Sequence, residues 1–72
     1  MNAMETIKDI LNSNLGIDPA TINADTTFAS LDIDSLDMTE LTCELEDLAG
    51  KELTGLENIA TVGELAALVE SL

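Results

Sequence analysis

Residues 34–50 read DSLDMTELTCELEDLAG, from Asp34 to Gly50, and this stretch decides the fold. Met38, Leu41, Leu45 and Leu48 recur at helical spacing and form an apolar stripe. On a 3.6-residue helix, Asp37, Glu40, Glu44 and Asp47 form an acidic stripe about 100° away. A third stripe, Ser35, Thr39, Thr42, Cys43 and Glu46, points largely away from the core, so Ser35 opens a polar, exposed face. Asp34 is placed to cap the helix, and Asp37 adds negative charge to its first turn, which the helix dipole favours. Gly50 suits the C-terminal cap. The predicted helix runs from about Leu36 to Ala49.

Upstream, Met4, Ile7, Leu11 and Leu15, with Ile10 beside them, predict an amphipathic helix from about Ala3 to Asn14. Asn2 caps its start, Gly16 suits its left-handed end, and Pro19 stops continuation. Residues 17–33 keep no period and read as a long ordered loop, pinned by Ile17, Ile22, Phe28, Leu31 and Ile33. Connections of that length are uncommon in small domains and are often functional. Downstream, Thr54 with Glu57 reads as a capping box that starts a short turn around Leu56 to Ile59. Thr61 with Glu64 reads as a second box, opening a helix from Val62 to Ser71 that buries Val62, Leu65, Val69 and Leu72. The fold expected is all-α: a four-helix bundle with three longer helices and one short one, and a long loop between helices one and two. The whole chain, residues 1–72, reads as a single domain.

Charge is the loudest compositional fact. Fifteen Asp and Glu stand against Lys8 and Lys51, a formal net charge of −13. Nucleic acid and anionic membranes need clustered Lys or Arg and are disfavoured partners; basic protein surfaces and divalent cations are favoured. Phe28 is the only aromatic residue, a feature shared with disordered chains, but the aliphatic residues fall at helical spacing and argue for a fold. Cys43 is single, which argues against a disulfide-stapled secreted domain. No basic start precedes an apolar run, and no apolar stretch is long enough to span a bilayer, so a cytoplasmic monomer with no membrane insertion is expected.

Catalysis is hard to assemble from these residues. The chain has no His, Tyr or Arg, and Cys43 has no visible base beside it. One Cys without His makes none of the usual zinc sets. Asp32, Asp34 and Asp37 invite a calcium loop, but its sixth and twelfth positions require glycine and glutamate, where Asp37 and Cys43 stand. Ser35 has a more specific setting. At the start of a helix, free backbone N–H groups and the dipole stabilise a phosphate. A phosphodiester on its hydroxyl would point into solvent, and a separate enzyme must supply the base. A serine in a first turn is also a common structural residue, so local physics leaves both readings open.

The segment Leu31-Asp32-Ile33-Asp34-Ser35-Leu36-Asp37, followed by Glu40-Leu41, resembles the acyl carrier protein family. The likeness extends over nearly the whole chain: an amphipathic first helix, a long loop with Phe28, an acidic second helix, and Thr61-Val62-Gly63-Glu64 at the last one. It implies that Ser35, flanked by Asp34 and Leu36, receives 4′-phosphopantetheine from coenzyme A through a phosphopantetheinyl transferase. It implies that acyl groups ride on that arm as thioesters in fatty-acid or specialised acyl and polyketide biosynthesis, with no catalysis by the carrier itself. The family's acidic recognition surface maps onto Asp37, Glu40, Glu46 and Asp47, facing basic patches on acyl-transferring and synthase enzymes. The resemblance also implies that acyl chains are sequestered between helices, for which Phe28, Leu41, Leu45, Ile59 and Val62 are the candidates; ordinary core packing is the other reading of the same residues. Three departures stand out: Asp32 where many members have Gly, Thr39 and Thr42 at commonly aliphatic positions, and a segment after Gly50 that lacks Ile-Pro and contains Lys51 and Asn58. They leave a housekeeping or a dedicated carrier open.

Two other readings stand beside the carrier: a non-carrier interaction module that docks through its acidic helix, and a calcium-responsive helical protein. All three share one expectation. Self-repulsion at −13 destabilises the compact state at low ionic strength, so added salt or divalent cation raises the melting temperature. A flat thermal melt across a salt series contradicts it.

Overall fold

The computed structural model describes residues 2–72, apart from the side chain of Glu57. Helix α1 spans Ala3–Leu15, α2 spans Ser35–Ala49 and α3 spans Val62–Glu70. Local chemistry sets their ends. The Asn2 side chain accepts the Glu5 N–H at 3.2 Å, and Gly16, in the left-handed region at φ 69°, donates its N–H to Asn12 O at 3.0 Å. Asp34 Oδ1 accepts the Asp37 N–H at 2.8 Å. The predicted box at α3 is complete: Thr61 Oγ1 accepts the Glu64 N–H, while Glu64 Oε1 accepts the N–H groups of Ala60 at 2.8 Å and Thr61 at 3.0 Å. Those two backbone donors, Ala60 first, hold the Glu64 carboxyl below the ordinary carboxylate range.

α1 packs against both α2 and α3. The core holds Ala3, Ile7, Ile10 and Leu11 from α1, Leu41 and Leu45 from α2, Val62, Leu65, Ala66 and Val69 from α3, and Ile22, Phe28 and Leu53 from the connections. Three leucines assigned to apolar stripes are corrected to exposed positions: Leu15, Leu48 and Leu72, with Leu48 at 61%. Repeated four-residue steps rotate a stripe by about 40° each, which turns Leu15 out of the seam. Leu48 lies in the last turn of α2 and Leu72 two residues past the end of α3.

The expected fourth helix is a single 3-10 turn, Leu56–Asn58. Its N-terminal cap is Gly55, not the box expected of Thr54; the Glu57 side chain that the box also needs lies outside the described residues. The architecture is therefore three α-helices, without a complete fourth. The long loop is more ordered than its sequence suggests. It contains two further 3-10 turns, Pro19–Thr21 and Ala29–Leu31. Ile22 and Phe28 anchor it in the core, while Ile17, Leu31 and Ile33 are partly buried.

Backbone bonds then clip this loop to the start of α3. Phe28 N–H donates to Ala60 O at 3.1 Å, Val62 N–H to Thr26 O at 2.9 Å, and Gly63 N–H to Ala24 O at 3.0 Å, around an isolated bridge between Thr27 and Thr61. The chains approach so closely that a Cβ on Gly63 would stand 2.7 Å from Ala24 O. Glycine is required there by space, not by backbone angle.

Candidate functional site

Helix α2 has three working sides. Leu41 and Leu45 face the core, with Met38 partly buried beside them. Asp37, Glu40, Glu44 and Asp47 face outward; Glu44 Oε2 accepts the Asn14 side-chain N–H at 2.7 Å, tying this side to α1. The third side differs from expectation. Ser35, Thr39, Thr42, Cys43 and Glu46 line an open, mostly apolar groove of about 840 Å³, whose opposite wall is Phe28, Leu56, Ile59 and Ala60. Thr39 Oγ1 donates to Ser35 O at 2.9 Å and Thr42 Oγ1 to Met38 O at 2.7 Å. With their hydroxyls bonded back to the helix, the threonines offer methyl groups to the groove. The side read as polar and exposed is exposed at Ser35, Thr39 and Cys43, and it also forms one wall of an apolar trough.

Ser35 stands at the mouth of that groove, in the first turn of α2. The first intrahelical bond is Met38 N–H to Asp34 O at 2.9 Å, so the N–H groups of Ser35 and Leu36 precede it and are available to an anion. The serine hydroxyls separate cleanly. Ser13, Ser30 and Ser71 donate to Asp9 O, Thr27 O and Leu68 O at 2.9, 2.8 and 2.7 Å. Among the described residues, Ser35 is the one serine whose hydroxyl makes no hydrogen bond within the chain. A phosphodiester fits this exposed oxygen, with backbone donors beside it and an apolar trough leading away. Leu36, 67% exposed, flanks the serine on its outer side.

The structure separates the other predicted site residues. Phe28 and Ile59 line the groove, whereas Leu41, Leu45 and Val62 lie behind it in the closed core, at 2%, 0% and 0% exposure. Met38, Leu56 and Ala60 line the groove and were not among the predicted residues. Glu40 and Asp47 are exposed; Asp37 is half-buried beside the α1 seam. Glu46 is half-buried on the groove side, and its carboxylate accepts the Leu53 N–H at 2.8 Å. Cys43 is exposed along the groove rim.

Asp32 holds the only left-handed backbone among non-glycine described residues, at φ 57° and ψ 33°. It ends the Ala29–Leu31 turn and sets the direction in which the chain enters α2. The position requires a conformation that costs an L residue about 1–2 kcal/mol, less for Asp or Asn. Asp32→Gly is expected to raise stability by at most about 0.5 kcal/mol, because glycine's extra chain entropy offsets most of the backbone cost relieved. Asp32→Asn, which tolerates the same angles, isolates the contribution of charge. Urea unfolding checks both, and a destabilised glycine variant contradicts the account.

A free, unactivated hydroxyl beside an apolar trough suits a tether and not a reaction centre. Comparison with known proteins agrees. A family model described as "Phosphopantetheine attachment site" matches residues 5–69. Acyl carrier proteins of Streptococcus thermophilus, Streptococcus pyogenes and Streptococcus pneumoniae are 37%, 36% and 34% identical over 70 residues. Each alignment covers 97% of this chain and 95% of the relative. The chain belongs to the acyl carrier protein family. It carries covalently attached 4′-phosphopantetheine, receives that arm from a phosphopantetheinyl transferase, and serves acyl-handling enzymes as a carrier and not as a catalyst. None of its described helices is long and apolar enough to cross a membrane.

Proposed function

We propose that Ser35 is the attachment point, and that the groove beside it shelters the cargo of a carrier serving fatty-acid-type or polyketide-type chain building. The observation behind this reading is the hydroxyl of Ser35, exposed and free of internal hydrogen bonds at the groove mouth. On attachment, the serine oxygen gains a bond to phosphorus and the pyrophosphate bond of coenzyme A breaks. The serine proton must pass to a base. The chain has no His, and the nearby Asp34 carboxylate is already occupied as a helix cap, so the base belongs to the transferase.

When bound, the arm supplies a thiol that holds acyl groups as thioesters. This chain's residues supply the shelter. The groove follows α2 from Ser35 to Glu46, roughly 16 Å at 1.5 Å per residue, between Met38, Thr39 and Thr42 on one side and Leu56 and Ile59 on the other. An apolar chain lying there escapes water, worth about 0.8 kcal/mol per buried methylene. The outer side of α2, with Asp37, Glu40 and Asp47 exposed or half-exposed and Glu46 at its groove-side edge, meets basic surfaces on partner enzymes. Such pairing mainly raises the association rate and sets orientation. Intact mass after incubation with a transferase and coenzyme A tests the assignment, and a wild-type protein that gains no arm removes it.

A further inference from the structure

We propose that Glu46 is a positioning residue of the groove: its carboxylate holds the strap of residues 51–59 against α2 and so fixes the wall that faces Ser35's arm. The inference rests on the preceding reading only for what the groove contains. Glu46 lies on the groove side of α2, about 100° or more from Glu40 and Asp37 on a regular helix, so it does not share their outward face. Two donors of the chain leaving α2 converge on it. Gly50 N–H donates to its backbone carbonyl at 2.8 Å, and Leu53 N–H to its carboxylate at 2.8 Å.

Leu53 is in turn anchored by a side chain only 5% exposed. Beyond it the strap carries Leu56 and Ile59, which form the far wall of the groove. The strap's other end is fixed where Ala60 O accepts the Phe28 N–H. Among the described residues, Glu46 makes the only side-chain hydrogen bond to residues 51–59. The wall is therefore pinned at both ends and spanned in between by apolar contact alone. Release of the Glu46 end frees Leu56 and Ile59 to move away from α2. A basic group on a docked enzyme that captures this carboxylate would take it from Leu53, which couples docking to widening of the groove.

Glu46→Ala and Glu46→Gln separate this role from a simple docking charge, because the Gln side chain keeps an oxygen acceptor and loses only the charge. Amide exchange of the apo protein is the primary readout. Glu46→Ala is expected to speed exchange at Leu53 about tenfold, in line with loss of one hydrogen bond to a charged group, with faster exchange also at Leu56 and Ile59. Glu46→Gln stays near wild type. Unchanged exchange at Leu53 in the Ala variant, or a Gln variant that behaves like Ala, overturns the proposal; should Ala not fold, the Gln result decides alone. In octanoyl-loaded protein, the Ala variant is expected to lose its thioester to hydroxylamine several-fold faster than wild type or Gln. If wild-type cargo is cleaved as fast as free octanoyl-pantetheine, the groove is not a shelter, and the exchange data still decide the role of Glu46.

Discussion

Ser35→Ala protein, incubated with a phosphopantetheinyl transferase and coenzyme A, is expected to keep its original mass, while wild type gains one arm. The loss should be complete because no other described serine has a free hydroxyl. Ser13, Ser30 and Ser71 are bonded back to backbone carbonyls, and Thr39 and Thr42, in the groove wall, bond the helix in the same way. The fold should be untouched. Ser35 is exposed, and the cap at this helix end comes from Asp34, so the substitution falls within the roughly 0.5 kcal/mol typical of surface changes. A mass gain in the alanine variant would move the attachment elsewhere. A collapsed far-ultraviolet spectrum would assign the serine a structural role instead.

Gly63→Ala is expected to cost about 1–3 kcal/mol, as overpacking does where the neighbours cannot yield. Within a helix, alanine ordinarily stabilises by up to about 1 kcal/mol over glycine, so the sign of the effect tests the packing directly. The new methyl would meet Ala24 O at 2.7 Å and Ala24 Cβ at 2.9 Å, and the first of these is backbone. Relief requires the loop to withdraw, which strains the bonds from Gly63 to Ala24 and from Val62 to Thr26. In a domain of this size each kcal/mol moves the melting temperature by about 4–8 °C, so a drop of roughly 5–20 °C should be plain in a thermal scan. A melting temperature equal to or above wild type would show that the loop yields freely.

The helices were legible because their boundaries are written locally. Asn2, Asp34 and the Thr61–Glu64 pair each cap within three residues of their own position, and the structure shows those bonds. Ser35 was singled out by its motif, and the structure places it in the first turn of α2, where that expectation puts it. The groove was not legible. Thr39 and Thr42 look polar by residue type, and only the folded helix shows their hydroxyls satisfied four residues back. The far wall comes from Leu56 and Ile59, carried by a segment too short and irregular to show a period. Leu41, Leu45 and Val62 became acyl-pocket candidates through the family resemblance, as core residues that open for cargo; the structure places them in the closed core, and sequence alone does not divide core from groove. The bond from Leu53 to Glu46 spans seven residues and leaves no pattern that distinguishes it from an ordinary surface carboxylate.

The three-sided arrangement of α2 bears on how such a carrier can change over generations. Leu41 and Leu45 secure the molecule on one flank, while Thr39, Thr42 and Cys43 border the cargo trough on another. On the function proposed above, substitutions on the trough flank would reshape what the carrier holds, and those on the anionic flank would shift which enzymes it visits. On that reading, selectivity for cargo, choice of enzyme and structural integrity are distributed over separate longitudes of a single helix, joined where Glu44 reaches Asn14 of α1.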